Sequence, residues 1–266
     1  MAAFRVSGGA ILLELDTIGW IVTAIAVLLT GISKSSLGGA MGGLAVPFMA
    51  IWLAPRDALA VVLPILIAMD LAGMRAWRGK ADWDELKHLV PASVVGIALA
   101  ALLFGLMSDA FIKAGLGVIA VAFAADRLIR RTRPAVGPRG LSWPWAWLCG
   151  SAAGVTSTFA HAGGPPLIIY LLGRGLPRQV FVATSVYFFT AINLAKVPFY
   201  IGLDMFSRET LLMSAVYLPL VPVGVWIGTR LLSIISERTF FYIATGMLGL
   251  SGLKLLWDVW GSGLAS

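Results

Sequence analysis

Charge is what this chain has least of. Only 12% of its 266 residues are Asp, Glu, Lys or Arg, against about 25% in an ordinary soluble domain. That shortage excludes a soluble globular domain, and no polar stretch is long enough to form one beside the rest. Cysteine is nearly absent. Cys149 stands alone, so an internal disulfide and a cysteine-built metal centre are both excluded. Histidine is almost as scarce, and His88 and His161 lie too far apart in the expected layout to found a metal site. No G-x-x-x-x-G-K-[ST] loop occurs, which argues against intrinsic ATP drive. The beginning of the chain shows no short apolar core followed by a small-residue cleavage site, so residues 18–32 are read as part of the mature protein.

What the chain has in abundance is hydrocarbon. Hydrophobic residues make up 59% and the mean hydropathy is +0.91. Several continuous apolar runs reach about 20 residues, the length that crosses a bilayer core. Continuous runs differ from the short alternating strands of a membrane barrel. The fold expected is therefore an all-α polytopic membrane protein. Ten segments are read, at 15–33, 38–53, 57–77, 86–107, 109–130, 144–159, 164–173, 178–200, 209–231 and 238–260. Between the fifth and sixth lies a basic connector, RRTRPAVGPRGLSW. The division is a first transmembrane repeat over 1–130, a cytoplasmic linker over 131–143 and a second repeat over 144–266.

Five segments on each side suggest duplication, and sliding the halves over one another supports it. Gly31 meets Gly154, Ser33 meets Thr156, and Asp70-Leu71-Ala72 meets Asn193-Leu194-Ala195. With small shifts between segments, Pro55-Arg56 meets Pro177-Arg178, and Pro91 and Val95-Gly96 meet Pro219 and Val223-Gly224. An ordered series of matches with turn residues at segment ends points to an internal repeat. If the segments alternate sides, 14 of the 20 basic residues fall on one side and 5 on the other, with Lys196 left inside a segment. Basic loops stay cytoplasmic, so that asymmetry orients the chain and puts both termini outside. The formal charge of +7 is then an orientation signal, and no nucleic-acid partner is expected. An odd number of segments per repeat makes the two repeats inverted, a recurring design of secondary transporters.

Each repeat opens with an interrupted hydrophobic stretch. The first reads GISKSSLGGAMGGLAVPF (31–48), the second GVTSTFAHAGGPPLIIYLLG (154–173). From Pro165 to Gly173 is too short to cross about 30 Å of hydrocarbon as helix. Both stretches are therefore expected to be broken or re-entrant hairpins, tolerated where protein or a watery cavity surrounds them. Tandem Pro165-Pro166 suits a first helical turn, and glycines before it bare backbone N–H groups that favour an anion. The substrate-binding candidates are Ser33, Lys34, Ser35, Ser36, Gly38 and Gly39 in the first stretch. In the second they are Thr156, Ser157, Thr158, His161, Gly163 and Gly164. The competing reading of the glycines is close helix packing with no ligand.

At these two stretches the chain resembles the TauE/SafE family of sulfite and organosulfonate exporters, over nearly its whole length. The resemblance rests on the paired glycine-rich segments, the duplicated layout and the length. It implies export of a small sulfur-containing or carboxylate anion across a bacterial inner membrane.

Several polar residues lie inside expected segments. Lys196 either attracts the anion or snorkels to the nearer interface, and Pro198 beside it is expected to break the segment. Asn193 joins the site as the repeat mate of Asp70. Asp70 itself carries a coupling proton or pairs with Arg75. Lys34 supplies fixed charge to the pocket or is a loop lysine. His161 hydrogen-bonds an oxyanion, titrates near neutral pH or caps a helix end. Ser157 and His161, four apart, invite a hydrolase reading. The residues between them look non-helical, and Gly38, the repeat mate of His161, repeats no dyad. The reading adopted is a secondary transporter, not an enzyme, with no cofactor or metal. Its partners are a small anion and the bilayer, with proton or membrane-potential coupling and a homo-oligomer left open. A passive anion channel is the alternative.

Overall fold

The computed structural model describes residues 15–37, 43–130, 142–231 and 237–263. Among these, every regular element is an α-helix. The first half holds α1 (Thr17–Leu37), α2 (Ala45–Met49), α3 (Pro55–Ala76), α4 (Trp83–Leu106) and α5 (Asp109–Arg130). The second holds α6 (Trp143–Ala160), α7 (Gly164–Arg174), α8 (Arg178–Gly202), α9 (Arg208–Tyr217), α10 (Leu220–Leu231) and α11 (Glu237–Gly263). Among the described residues five stretches are long and apolar enough to cross a membrane: Thr17–Lys34, Pro55–Arg75, Trp83–Leu106, Gln179–Gly202 and Arg208–Ile227. Residues 131–141 of the expected linker lie outside the described residues.

Local chemistry sets the ends. Asp82 caps α4 by accepting from the Asp84 and Glu85 N–H groups at 3.0 and 3.2 Å. Ser207 and Thr210 form a reciprocal capping box at the start of α9, the arrangement that satisfies two orphan donors at once. Gly175, at φ 69°, closes α7 in the left-handed conformation glycine adopts at little cost.

The prolines behave differently from one another. The expected segment 209–231 is two helices, parted at Leu218-Pro219. Pro219 and Pro222 remove two backbone donors within four residues, and the ladder breaks there. Pro91 stands alone inside α4 and is absorbed. Pro198 likewise lies inside α8, which continues to Gly202, so the expected break at Pro198 does not occur.

The outward surface is apolar. Leu102, Leu106, Leu250, Trp143, Trp257 and Trp260 are exposed, the inverse of a soluble protein. Among hydrocarbon chains such a surface is solvated, and tryptophan near helix ends suits the headgroup level.

Helices of the first half pack mainly on helices of the second. The tightest crossing joins α4 and α6. A Cβ on Gly96 would lie 2.1 Å from the Ser151 carbonyl oxygen, and one on Gly154 2.1 Å from that of Ser93. Hydroxyls stitch the same seam: Ser93 Oγ donates to Gly150 O at 2.9 Å and Ser151 Oγ to Ala92 O at 3.0 Å. Small residues and interhelical hydrogen bonds are what hold helices together when lipid is the competing solvent. A second crossing, of α1 with α10, brings Gly31 to Gly224, where an added Cβ would meet the other glycine's Cα at 3.4–3.5 Å. A third joins α5 and α11 through Gly117 and Gly252, each backing onto the other's carbonyl oxygen.

Near one end of the bundle, Glu85 of α4 reaches the short helix α7. Its carboxylate is buried and accepts from Tyr170 OH at 2.7 Å and Arg174 Nε at 2.5 Å. This tie anchors the C-terminal end of α7 to α4.

Candidate functional site

The second interrupted stretch is helical further than its residues suggest. α6 runs through Ala160, so Ser157 and His161 do share a face, correcting the expectation that the chain leaves the helix between them. His161 ends α6 at φ 50°, a left-handed conformation uncommon without glycine. Such strain persists where the surroundings over-determine it. Here the backbone N–H bonds Ser157 O at 2.9 Å, and the ring is held on both sides. Nε2 lies 3.1 Å from Leu59 O of α3, and Nδ1 lies 2.6 Å from Lys196 Nζ of α8. α7 then starts at Gly164 with Pro165 and Pro166 in its first turn, as the tandem prolines imply. Its 11 residues give about 16 Å of helix, half a hydrocarbon core.

Lys196 is fully buried, which removes the snorkelling alternative. Its ammonium donates to Ser157 O at 3.2 Å, Ser157 Oγ at 3.0 Å and His161 Nδ1 at 2.6 Å. An ammonium has three protons and no acceptor, so these three partners use all of them. The Leu59 carbonyl fixes the tautomer, because Nε2 must carry the proton and Nδ1 is left as acceptor. All three partners of Lys196 are neutral, and no carboxylate pairs with it among the described residues.

Beside it lies a balanced pair. Lys34, in α1, is buried and forms a salt bridge with buried Asp70 of α3. Lys34 is thus not a loop lysine, and Asp70 pairs with it rather than with Arg75, which is exposed. The second Asp70 oxygen accepts from Asn193 Nδ2 of α8 at 2.6 Å. The Lys34 ammonium also stands 5.6 Å from the Phe189 ring centroid. Ser33 is buried. Ser35 and Ser36 are described only as backbone at the end of α1, and Gly38 and Gly39 lie outside the described residues.

The remaining candidates divide. Thr156 and Thr158 donate to carbonyls of their own helix, Ala152 O at 2.8 Å and Gly154 O at 2.9 Å, so their protons are spent locally. Ser157 accepts from Lys196, which leaves its own hydroxyl proton to offer. Gly163 packs on α6, where an added Cβ would meet Ala153 O at 2.9 Å, so close packing accounts for that glycine. Gly164 instead lines a small apolar cavity that also touches the first interrupted stretch, α5 and α11. Gly43, Leu44 and Pro47 face it from one side, Ala160, Ala162 and Gly164 from the other. Its lining is apolar, unlike the donor-rich pocket expected at this meeting point. His161, between Ala160 and Ala162 of the lining, bonds Leu59 O and Lys196 Nζ instead.

Sequence reasoning missed Leu59 O and Tyr200, whose hydroxyl donates to Thr158 O at 2.9 Å with its ring 6.2 Å from His161. A backbone carbonyl leaves no mark in a sequence, whereas Tyr200 lies one helical turn beyond Lys196 on the same face. Among the described residues no group of three His, Cys, Asp or Glu side chains could hold a metal. Ser157 and His161 both contact Lys196, and the ammonium gives its protons to them. The serine is therefore not poised to lose one to a base, which is what a nucleophile requires.

Comparison with curated proteins and with solved structures returned no match to this chain. The family model described as sulfite exporter TauE/SafE matches residues 23–255, a span holding both interrupted stretches and Lys34, Asp70, Glu85 and Lys196. The apolar helices and the buried cationic cluster between them thus sit on a chain that belongs to the TauE/SafE family, a family of membrane transporters rather than enzymes.

Proposed function

We propose that the chain exports a small anion by alternating access, holding it at the Lys196 ammonium between two inverted repeats in a bacterial inner membrane. The observation that carries this reading is a buried lysine whose partners are all neutral. An unbalanced ammonium in a low-dielectric interior is costly, and an anion beside it offsets that cost. Ser157 and the first turn of α7 add neutral donors, and Asp70, which the sequence offered for a coupling proton, is read here as the fixed counter-ion of Lys34. Because Lys196 is sealed from solvent, the arrangement favours an occluded carrier over a continuous pore.

The inverted-repeat reading draws support from the packing. Gly31 and Gly154 are repeat mates, as are Gly224 and Gly96. The crossing of α1 on α10 is therefore the counterpart of the crossing of α6 on α4. Gly224 approaches Leu28 O while Gly96 approaches Ser151 O, and Leu28 and Ser151 are also mates in the alignment that pairs Gly31 with Gly154. Asp70 and Asn193, mates again, hydrogen-bond each other, as residues on a two-fold axis do.

Two experiments test the proposal. Counterflow in proteoliposomes is expected to exchange at least one of sulfite, short sulfonates and small carboxylates. Folded protein that exchanges none of them contradicts the substrate class, and single-channel currents in a planar bilayer contradict the carrier mechanism. Cysteines introduced at Arg56 and Arg139 are expected to label from opposite faces with an impermeant reagent. Labelling from one face contradicts the inverted topology.

A further inference from the structure

Among the described residues the buried Lys, Arg, Asp and Glu side chains are Lys34, Asp70, Glu85 and Lys196. Glu85 is tied to Arg174 away from the site. The other three act on one another: Lys34 and Asp70 both lie within electrostatic reach of Lys196. Lys34 and Asp70 cancel, and both Asp70 oxygens are engaged, by Lys34 and by Asn193. His161 is neutral by the tautomer argument above, and Tyr200 donates to a carbonyl. Residues 38–42, GGAMG, contain no ionisable group, nor do Ser35 and Ser36. With Lys34, Asp70 and Lys196 ionised, the site holds one uncompensated positive charge.

We infer that this count sets the valence of the transported anion: the site selects a monovalent anion, and Asp70 is the residue that enforces the choice by occupying Lys34. The inference rests on the transport reading above and narrows its substrate. A monovalent anion at Lys196 brings the occluded cluster to neutrality. A divalent one leaves a net negative charge in a dry interior, where an unpaired charge is strongly disfavoured. Asp70 thus acts as a built-in anion. Removing its charge frees Lys34 and raises the site to two positive charges, which match a divalent solute. Size and hydrogen-bonding pattern alone do not produce that reversal, because the Asp70→Asn side chain is nearly isosteric with the original.

The test uses methanesulfonate and sulfate, tetrahedral anions of similar size whose valence is constant near neutral pH. Proteoliposomes containing the full chain are assayed for counterflow of each. The wild-type protein is expected to favour methanesulfonate by at least about tenfold. D70N is expected to shift the ratio towards sulfate by about tenfold or more, and the double variant K34M/D70N, which restores the charge count, to shift it back. Wild-type protein that exchanges sulfate as readily as methanesulfonate overturns the inference and leaves the transport reading standing. So does a folded D70N that keeps the wild-type ratio. If these anions, sulfite and small carboxylates all fail to exchange through folded protein, the transport reading fails and the inference with it.

Discussion

Replacing Lys196 with methionine is expected to abolish transport while leaving the protein folded. A charge pair about 4 Å apart at an effective dielectric constant near 20 is worth about 4 kcal/mol, or roughly a thousandfold in anion affinity. Stability should respond far less. The ammonium is buried without a carboxylate, and replacing buried charge by an apolar side chain of similar volume is often neutral or stabilising. The loss of three donors to Ser157 and His161 works in the other direction, at about 1 kcal/mol each. The two effects are of similar size, so K196M should unfold within a few degrees of wild type in detergent. Counterflow and a thermal melt on the same preparation read both quantities. Transport within a few-fold of wild type contradicts the role assigned to Lys196. A melt that collapses along with transport points to a structural role instead.

The second large effect concerns folding. In α4 and α6 the Gly96 and Gly154 backbones back onto Ser151 and Ser93 so closely that a methyl group has no room: each added Cβ lies 2.1 Å from a carbonyl oxygen. Backbone cannot swing aside as a flexible side chain does. G96A and G154A must part the helices and break the flanking Ser93 and Ser151 hydrogen bonds, at roughly 3 kcal/mol or more. The corresponding crossing of α1 and α10 is looser, with contacts of 3.2–3.6 Å around Gly224, so G224A should cost distinctly less. Gly115 and Gly246 have nothing within 4 Å, and alanine there should be neutral or gain up to about 1 kcal/mol from helix propensity. Thermal unfolding of the solubilised variants ranks them. Equal melting of G96A and G115A contradicts the packing described.

Much of the helix layout was legible because lipid simplifies the code. A segment that must satisfy its own backbone in hydrocarbon is long, apolar and continuous, and α5 begins and ends where its apolar run does. Interruptions were legible where chemistry was local, as at Pro165-Pro166. The split at Pro219 cannot be read from its repeat mate, because Pro91 lies inside an unbroken α4. The difference is Pro222, a second missing donor within the same turn. Pro198 misled in the opposite sense, since tertiary packing around α8 holds the helix through a single lost hydrogen bond.

The site was legible as an inventory and not as an arrangement. Lys34, Asp70, Asn193, Lys196, Ser157 and His161 all stand out as polar residues in apolar surroundings. Their partnerships join α1 to α3 and α8 to α6, across sequence separations that spacing rules do not reach. Arg75 looked like the partner of Asp70 because it is near in the chain. The contact of Asp70 with Asn193 had a usable sign beforehand, because the two occupy equivalent places in the repeats. The hydroxyls of Thr156 and Thr158 show the limit of composition: they are donors by type, yet each gives its proton to the helix that carries it.

The role of the Lys196 ammonium is tested most directly by locating the anion. Crystals grown or soaked with methaneselenonate, the selenium analogue of a short sulfonate, carry an anomalous scatterer in the anion itself. The account predicts a selenium peak beside Lys196 Nζ, with an oxygen in hydrogen-bonding contact with the ammonium or with Ser157. A peak confined to the apolar cavity at Gly43 and Gly164, or to the basic surface, with the Lys196 contacts unchanged, contradicts it.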